Sequence, residues 1–474
     1  MTLLFEQLLN GVQYGFMLFL LAAGLTLIFG IMGIINLAHG SFYMAGAFIG
    51  TWVAGASGSF WIGLLAALVG SAVIGALVEF AVIRRLYARD HLEQVLATFS
   101  LVLIFNQLVT IIFGRQPLMA SPPPLLSSSV ELLPGLIYPV YRLAIIGVGL
   151  AVAAGLYLLI NRSRVGMLIR AGAADREMVR ALGVRIKLIY TLVFGLGAVL
   201  AGLAGYLAGP IFSVQAGMGE RIILPTFVVV VVGGVGSIRG AFVAALVLGV
   251  IDTLLRAYAP GLLRTIMKSS AADTLGAGLA SMGIYLLMAL VLMARPQGFF
   301  PRERISHDRS CPSVARGRSP PRYAARDHRL WRGAAGGADR PASCRRCGWN
   351  EFADQPGFAR ADLCHRRRQP EHRAGVRGPG QLWPCRLFRH RRLIVAILSN
   401  HADWGTPFLG FIPGTNSLIL CLLAAMLFAG LAAAVIGALS LRTGGTQFIM
   451  ITLAFAQMVY SSLPRCRPMA ATMG

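Results

Sequence analysis

The chain has 474 residues, 56% of them hydrophobic and 13% charged, with a mean hydropathy of +0.69. Soluble domains carry about 25% charged residues, so the composition excludes an ordinary soluble enzyme for most of the length and indicates a multi-pass membrane protein. The formal charge of +24 is uneven: residues 302–392 hold 22 Arg, no Lys and 8 acidic residues, and five of the seven Cys.

The start, "MTLLFEQLLNGVQYGF", lacks a basic leader and opens an apolar run too long for a signal peptide, so it reads as an uncleaved membrane helix. Runs of spanning length occur near 11–33, 60–83, 94–113, 143–160, 189–212 and 275–294, with a shorter one at 41–56. The run 222–251 is too long for one crossing at about 1.5 Å per residue, and the glycines of "VVGGVGSIRGAF" divide it in two. The expected fold class is therefore all-α: a polytopic membrane helical bundle of about eight to nine segments in 1–301, a disordered basic middle segment, and two further membrane helices near 416–440 and 446–463.

Arginine-rich loops set the orientation. "RRLYARDH" (84–91) and 161–187 should both face the cytoplasm. Two crossings separate them, so the parity agrees. The N-terminus is then outside and "ARPQGFFPR" (294–302) inside.

Three constellations stand out. In "FGIMGIINLAHGSFYMAGAF" (29–48), Asn36, His39 and Ser41 interrupt two apolar runs. A polar break at membrane depth is tolerated where it is buried or lines a cavity, so it reads either as a pathway-lining turn or as a hydrogen-bonded helix junction. In "GLGAVLAGLAGYLAG" (195–209), Gly197, Ala201, Gly205 and Gly209 recur every fourth residue, a stripe suited to close helix packing. The loop 161–187 is amphipathic, with a short helix in "AADREMVRALG" closed by Gly183. It suits docking of a cytosolic protein, or contact with anionic lipid headgroups. Glu79 and Asp252, near opposite helix ends, are expected to snorkel to an interface.

The stretches "AAGLTLIFGIMGIINLAHGSFYMAGAF", "SRVGMLIRAGAADREMVRALGV" and "FVVVVVGGVGSIRGAFVAALVLGVID" together resemble the permease subunit of branched-chain amino acid ABC transporters, over about residues 5–301. The resemblance implies an ATP-driven importer, with branched-chain amino acids or related small amides and urea as substrate. It implies that 163–186 is the coupling loop for the cytosolic ATPase subunits, with Arg170, Asp175, Arg176, Glu177, Ala181 and Gly183 as contacts. It further implies a second permease subunit, a periplasmic substrate-binding protein, and residence in the bacterial inner membrane. Asn36, His39 and Ser41 are the pathway candidates. No bond chemistry is expected in this chain, and no cofactor or metal. Its lysines, Lys187 and Lys268, come directly after Ile186 and Met267, so neither forms a P-loop and ATP hydrolysis belongs to a separate subunit. The rival reading is a secondary transporter or channel for a small polar solute without an ATPase, using Glu79 or Asp252.

The segment 302–393 fits neither a zinc site nor a nucleic-acid module: "CRRC" (344–347) has no second pair of ligand-like spacing, and no apolar periodicity builds a fold around it. Its composition allows a disordered cytoplasmic linker, but tryptophans, cysteines and 22 Arg without one Lys are odd for a linker and read instead as translation out of frame. Regrouping the codons of "QLWPCRLFRHRRL" (381–393) by one base permits S-F-G-H-A-A-F-F-G-I-G-A, running into "VAILSN" and echoing "AHGSFYMAGAF" (38–48). Residues 394–463, with "GALSLRTGGTQFIMITLAFAQMVY", resemble a fragment of the partner permease, and 464–474 read as a second out-of-frame tail. An unselected segment has no core and should be unstructured.

Overall fold

The computed structural model describes residues 2–300, apart from Ala88, Asp175, 266–268 and 296–297, together with scattered positions in 417–434. The segments 302–393 and 464–474, and the helix expected near 446–463, lie outside the described residues. Within 417–434 the described positions from Ile419 onward are helical.

The elements track the apolar runs. In order they are α1 (Thr2–Met32), α2 (His39–Ser57), α3 (Phe60–Val78), α4 (Arg84–Leu86), α5 (His91–Phe113), α6 (Val140–Arg162), α7 (Arg164–Ala174), α8 (Arg176–Ala181), α9 (Ile186–Ala208), α10 (Met218–Gly233), α11 (Ile238–Arg264) and α12 (Ser269–Ala294). A π-helical turn, Glu79–Ile83, joins α3 to α4. Six helices among the described residues are long and apolar enough to cross a membrane: α1, α3 with its extension to Leu86, α5, α6, α9 and α11. The protein is a multi-pass helical membrane protein. Among the described residues the named strands form a short antiparallel hairpin, β1 (Ser129–Leu133) with β2 (Leu136–Pro139). It turns at Gly135 (φ 83°), whose N–H donates to Glu131 Oε1 at 2.8 Å.

Helix α1 is apolar on every face, as a helix enclosed by others must be, and is buried without interruption from Gly15 to Ile28. It lies antiparallel to α11: Gly11 meets the backbone of Val250, Gly15 that of Ala245 and Leu246, and Phe16 and Phe19 set their edges against Phe242. The outer helices bury one stripe each. On α3 that stripe is Gly63, Ala67, Ser71 and Gly75, one small residue per turn, so the helix sits close to its neighbours while Leu65, Val69, Val73 and Leu77 face outward.

The long run 222–251 does divide at its glycines. Helix α10 stops at Gly233, Gly234 (φ 99°) and Gly236 (φ 83°) reverse the chain, and Ser237 caps α11 by accepting from the Gly240 N–H at 3.1 Å. A Cβ on Gly240 would collide with the Gly233 carbonyl, so the two helices touch backbone to backbone there. The segment after α12 returns to this corner: Phe299 N–H donates to the Val232 carbonyl at 2.8 Å.

Candidate functional site

The polar break of the first third lies in the core. Helix α1 ends at Met32, Gly33 (φ 68°) turns the chain, and α2 begins at His39, beside the middle of α1. The His39 Nε2 lies 3.2 Å from the Leu21 carbonyl. That carbonyl can only accept, so Nε2 carries the proton and Nδ1 is left as a bare acceptor. Asn36 Oδ1 accepts from the Ala38 N–H at 3.0 Å and so holds the start of α2. Asn36 and His39 are fully buried and Ser41 nearly so. The turn is partly a hydrogen-bonded junction, yet His39 Nδ1 and Asn36 Nδ2 have no partner. Thr26 Oγ1 on α1 is also buried and unpartnered.

Two helix starts meet at this level. Gly40, in the first turn of α2, lies against Gly219, in the first turn of α10, so closely that a Cβ on either would collide with the other's carbonyl. The α9 stripe packs alongside. Gly197 lies against Gly24 and Ile28 of α1, Gly205 lies under the Tyr43 carbonyl of α2, and Ala201 is fully buried. Gly209 stands just past the end of α9 rather than within it, with Ala120 as its neighbour.

The loop 161–187, the hairpin connection between α6 and α9, is helical on both sides of Asp175, as α7 and α8, at one end of the bundle. Helix α7 begins at Arg164, well before the expected short helix. Ser163 starts it, its Oγ accepting from the Gly166 N–H at 2.9 Å and donating to Leu159 in the last turn of α6. Ile169 and Val179 face inward. Met167, Met178 and Leu182 are exposed, interleaved with exposed Arg170, Arg180 and Arg185 and with the exposed sequence candidates Ala181 and Gly183. Gly183 has φ 80° and closes α8 through its N–H to the Arg180 carbonyl at 3.1 Å. Arg170 turns back and donates to the Ile160 carbonyl, so its guanidinium also ties α7 to α6. Arg176 and Glu177 belong to α8, but their side chains, like Asp175, lie outside the described residues.

Next to this hairpin the sequence reading of Glu79 fails. Glu79 does not reach an interface; it is fully buried. Arg84 donates to both its oxygens, at 3.3 and 3.1 Å, Thr191 Oγ1 donates at 2.8 Å, and Tyr87 OH adds a short hydrogen bond. Thr191 and Tyr190, whose ring packs edge-on against Tyr87 at 5.2 Å, stand in the second turn of α9, so the cluster fastens α3–α4 to the helix next in sequence after the hairpin. Burial, then the hydrogen bond and charge of Glu79, push the Tyr87 phenol above its ordinary range, which keeps it a donor. Asp252 is also buried rather than snorkelled: Arg256, one turn on, donates to Oδ2 at 2.8 Å, and Oδ1 has no partner.

Among the described residues no group of three His, Cys, Asp or Glu could hold a metal ion.

Residues 7–292 match the family described as the permease component of branched-chain amino acid transport systems. The chain belongs to that family. It is 30% identical over 314 residues to the high-affinity branched-chain amino acid transport system permease protein BraD of Pseudomonas aeruginosa, covering 63% of this chain and 96% of the relative. It is 27% identical over 322 residues to the corresponding LivH protein of Escherichia coli, again with 63% and 96% covered. No solved structure matches. The permease match runs from α1 into α12 and takes in both the α1–α2 turn and the loop carrying α7 and α8.

Proposed function

We propose that residues 1–301 are a permease subunit of an ATP-driven importer in the bacterial inner membrane, with branched-chain amino acids as the substrate class and small amides or urea as the related alternatives. The observation that carries this reading is the family match across the entire described bundle. The partners are two cytosolic ATPase subunits, a second permease and a periplasmic binding protein. The exposed hairpin supports an ATPase dock: its outward face alternates Met167, Met178 and Leu182 with arginines, the pattern of an apolar contact rimmed by charge. Arg170, Asp175, Arg176, Glu177, Ala181 and Gly183 are its contacts. Closure of the ATPases moves the hairpin, and α6 and α9, which it joins, carry the movement into the bundle.

Asn36, His39 and Ser41 belong to the substrate path, a role supported by the two buried polar atoms without partners. The rival without an ATPase draws little support. Its carboxylates, Glu79 and Asp252, are each held by an arginine and are poorly placed to relay protons.

Relatives are matched over nearly their whole length by 63% of this chain, which supports a subunit ending near 301 and a foreign origin for residues 302–474. Residues 302–393 and 464–474 are then out-of-frame translation, and 394–463 a fragment of the second permease. Resequencing the DNA tests this: one uninterrupted frame overturns it.

The function is tested by purification and uptake. An ATPase subunit should co-purify with the chain and be lost on charge reversal at Arg176 and Glu177, and leucine uptake into proteoliposomes should require ATP. Uptake driven by a proton gradient without ATP, abolished by Glu79→Gln or Asp252→Asn, would replace the importer with the rival.

A further inference from the structure

The chain between α9 and α10 does not simply leave the membrane and return. Helix α10 begins at Met218 after Gly217 (φ 84°), and its second residue rests against Gly40 near the middle of the bundle. Glu220, next in line, accepts a hydrogen bond from Asn106 Nδ2 of α5. Asn106 is seven residues from the end of α5 at Phe113, or about 10 Å inside the span at the helical rise. Glu220 and the adjoining Arg221 are nevertheless exposed on this chain, as is Gln107 beside Asn106. Charged groups at such a depth face water or protein rather than lipid.

Neither charge is neutralised. Among the described residues Glu220 and Arg221 enter no ion pair, and consecutive helix positions do not face each other. Each has an uncharged amide for its partner. Asn106 serves Glu220, and Gln215, with its amide oriented to satisfy both groups, accepts from Arg221 at 2.7 and 3.2 Å. The start of α10 adds the positive end of a helix dipole. Across the Gly40–Gly219 contact lie His39 and Asn36, fully buried and each with a polar atom that has no partner.

We propose that Glu220 and Arg221 are the substrate-recognition pair of the permease, Glu220 for the α-ammonium and Arg221 for the α-carboxylate of a zwitterionic amino acid, with Asn106 and Gln215 holding the two side chains ready. The inference rests on the importer reading and names the group chemistry that reading leaves open. A guanidinium takes a carboxylate through two parallel hydrogen bonds, and a carboxylate takes an ammonium as a charge-assisted acceptor. Substrate displaces the neutral amides by offering a full opposite charge to each side chain.

The test uses the assembled transporter in proteoliposomes, with labelled leucine on its binding protein, and measures leucine delivered per ATP hydrolysed. Glu220→Gln and Arg221→Gln should each lower that ratio roughly tenfold, equivalent to about 1.4 kcal/mol of lost recognition, while the second permease still co-purifies and the binding protein still stimulates ATP hydrolysis. Arg221→Lys, which keeps the charge but not the fork, should recover part of the loss. An unchanged ratio overturns the proposal and leaves the importer reading intact. Loss of the second permease, or a parallel fall of uptake and ATP hydrolysis, makes the two residues subunit contacts and also overturns it. Failure of the unmodified transporter to move leucine with ATP removes the underlying reading, and the recognition pair with it.

Discussion

Glu79 and the Asn36–His39 turn are buried to the same extent, and in every other respect they are opposites. At the hairpin end of the bundle, three side chains converge on one carboxylate and meet both of its oxygens. In the middle of the bundle, an imidazole and a carboxamide are each half satisfied, with one hydrogen-bonding atom left over. Burial alone therefore says little about role. A polar group that is closed on all sides holds elements together, whereas one left short of partners costs stability, and that cost persists where another state or a ligand supplies what is missing.

The comparison can be broken most severely at Glu79. Glu79→Ala strands Arg84 and removes the acceptor for Tyr87 and Thr191, an expected loss of about 3–5 kcal/mol. It should appear as a large fall in the thermal midpoint of the detergent-solubilised protein, and pairing it with Arg84→Met should restore a good part. Gly40→Ala attacks the packing beside the polar turn. Its Cβ collides with the Gly219 carbonyl, so a loss of about 1–3 kcal/mol is expected from overpacking, measured by the same melt. Tyr87→Phe removes one bond from the closed cluster and should cost about 1 kcal/mol. The smallest stability effect should come from His39→Leu: its imidazole makes a single hydrogen bond, so stability should shift by less than about 1 kcal/mol while ATP-driven leucine uptake falls. Equal stability losses at His39 and Glu79 would erase the distinction.

The sequence was informative where backbone chemistry leaves a residue signature. The divided run 222–251 declared itself through Gly233, Gly234 and Gly236, the end of α8 through Gly183, and the close-packed face of α9 through its four-residue spacing. The placement of Glu79 was hidden for a specific reason. Its arginine is five residues away, not four, and ordinary helix geometry would not bring them together. The π-helical turn at Glu79–Ile83 inserts the extra residue that does. Glu220 and Arg221 were passed over because nothing local distinguishes a charged pair at a loop end from one beside Gly40, 180 positions earlier. The hairpin at 129–139 had a signal, Pro134–Gly135 between short runs of strand-forming residues, but it is small beside the surrounding helices.

Where α2 and α10 touch, at Gly40 and Gly219, the backbones meet directly, and the Ile223 side chain of α10 lies beside Gly40. With no Cβ on either helix at the tightest point, this contact fixes how near the two helix starts come, and with it the spacing between the half-satisfied imidazole on one side and the unneutralised charges on the other.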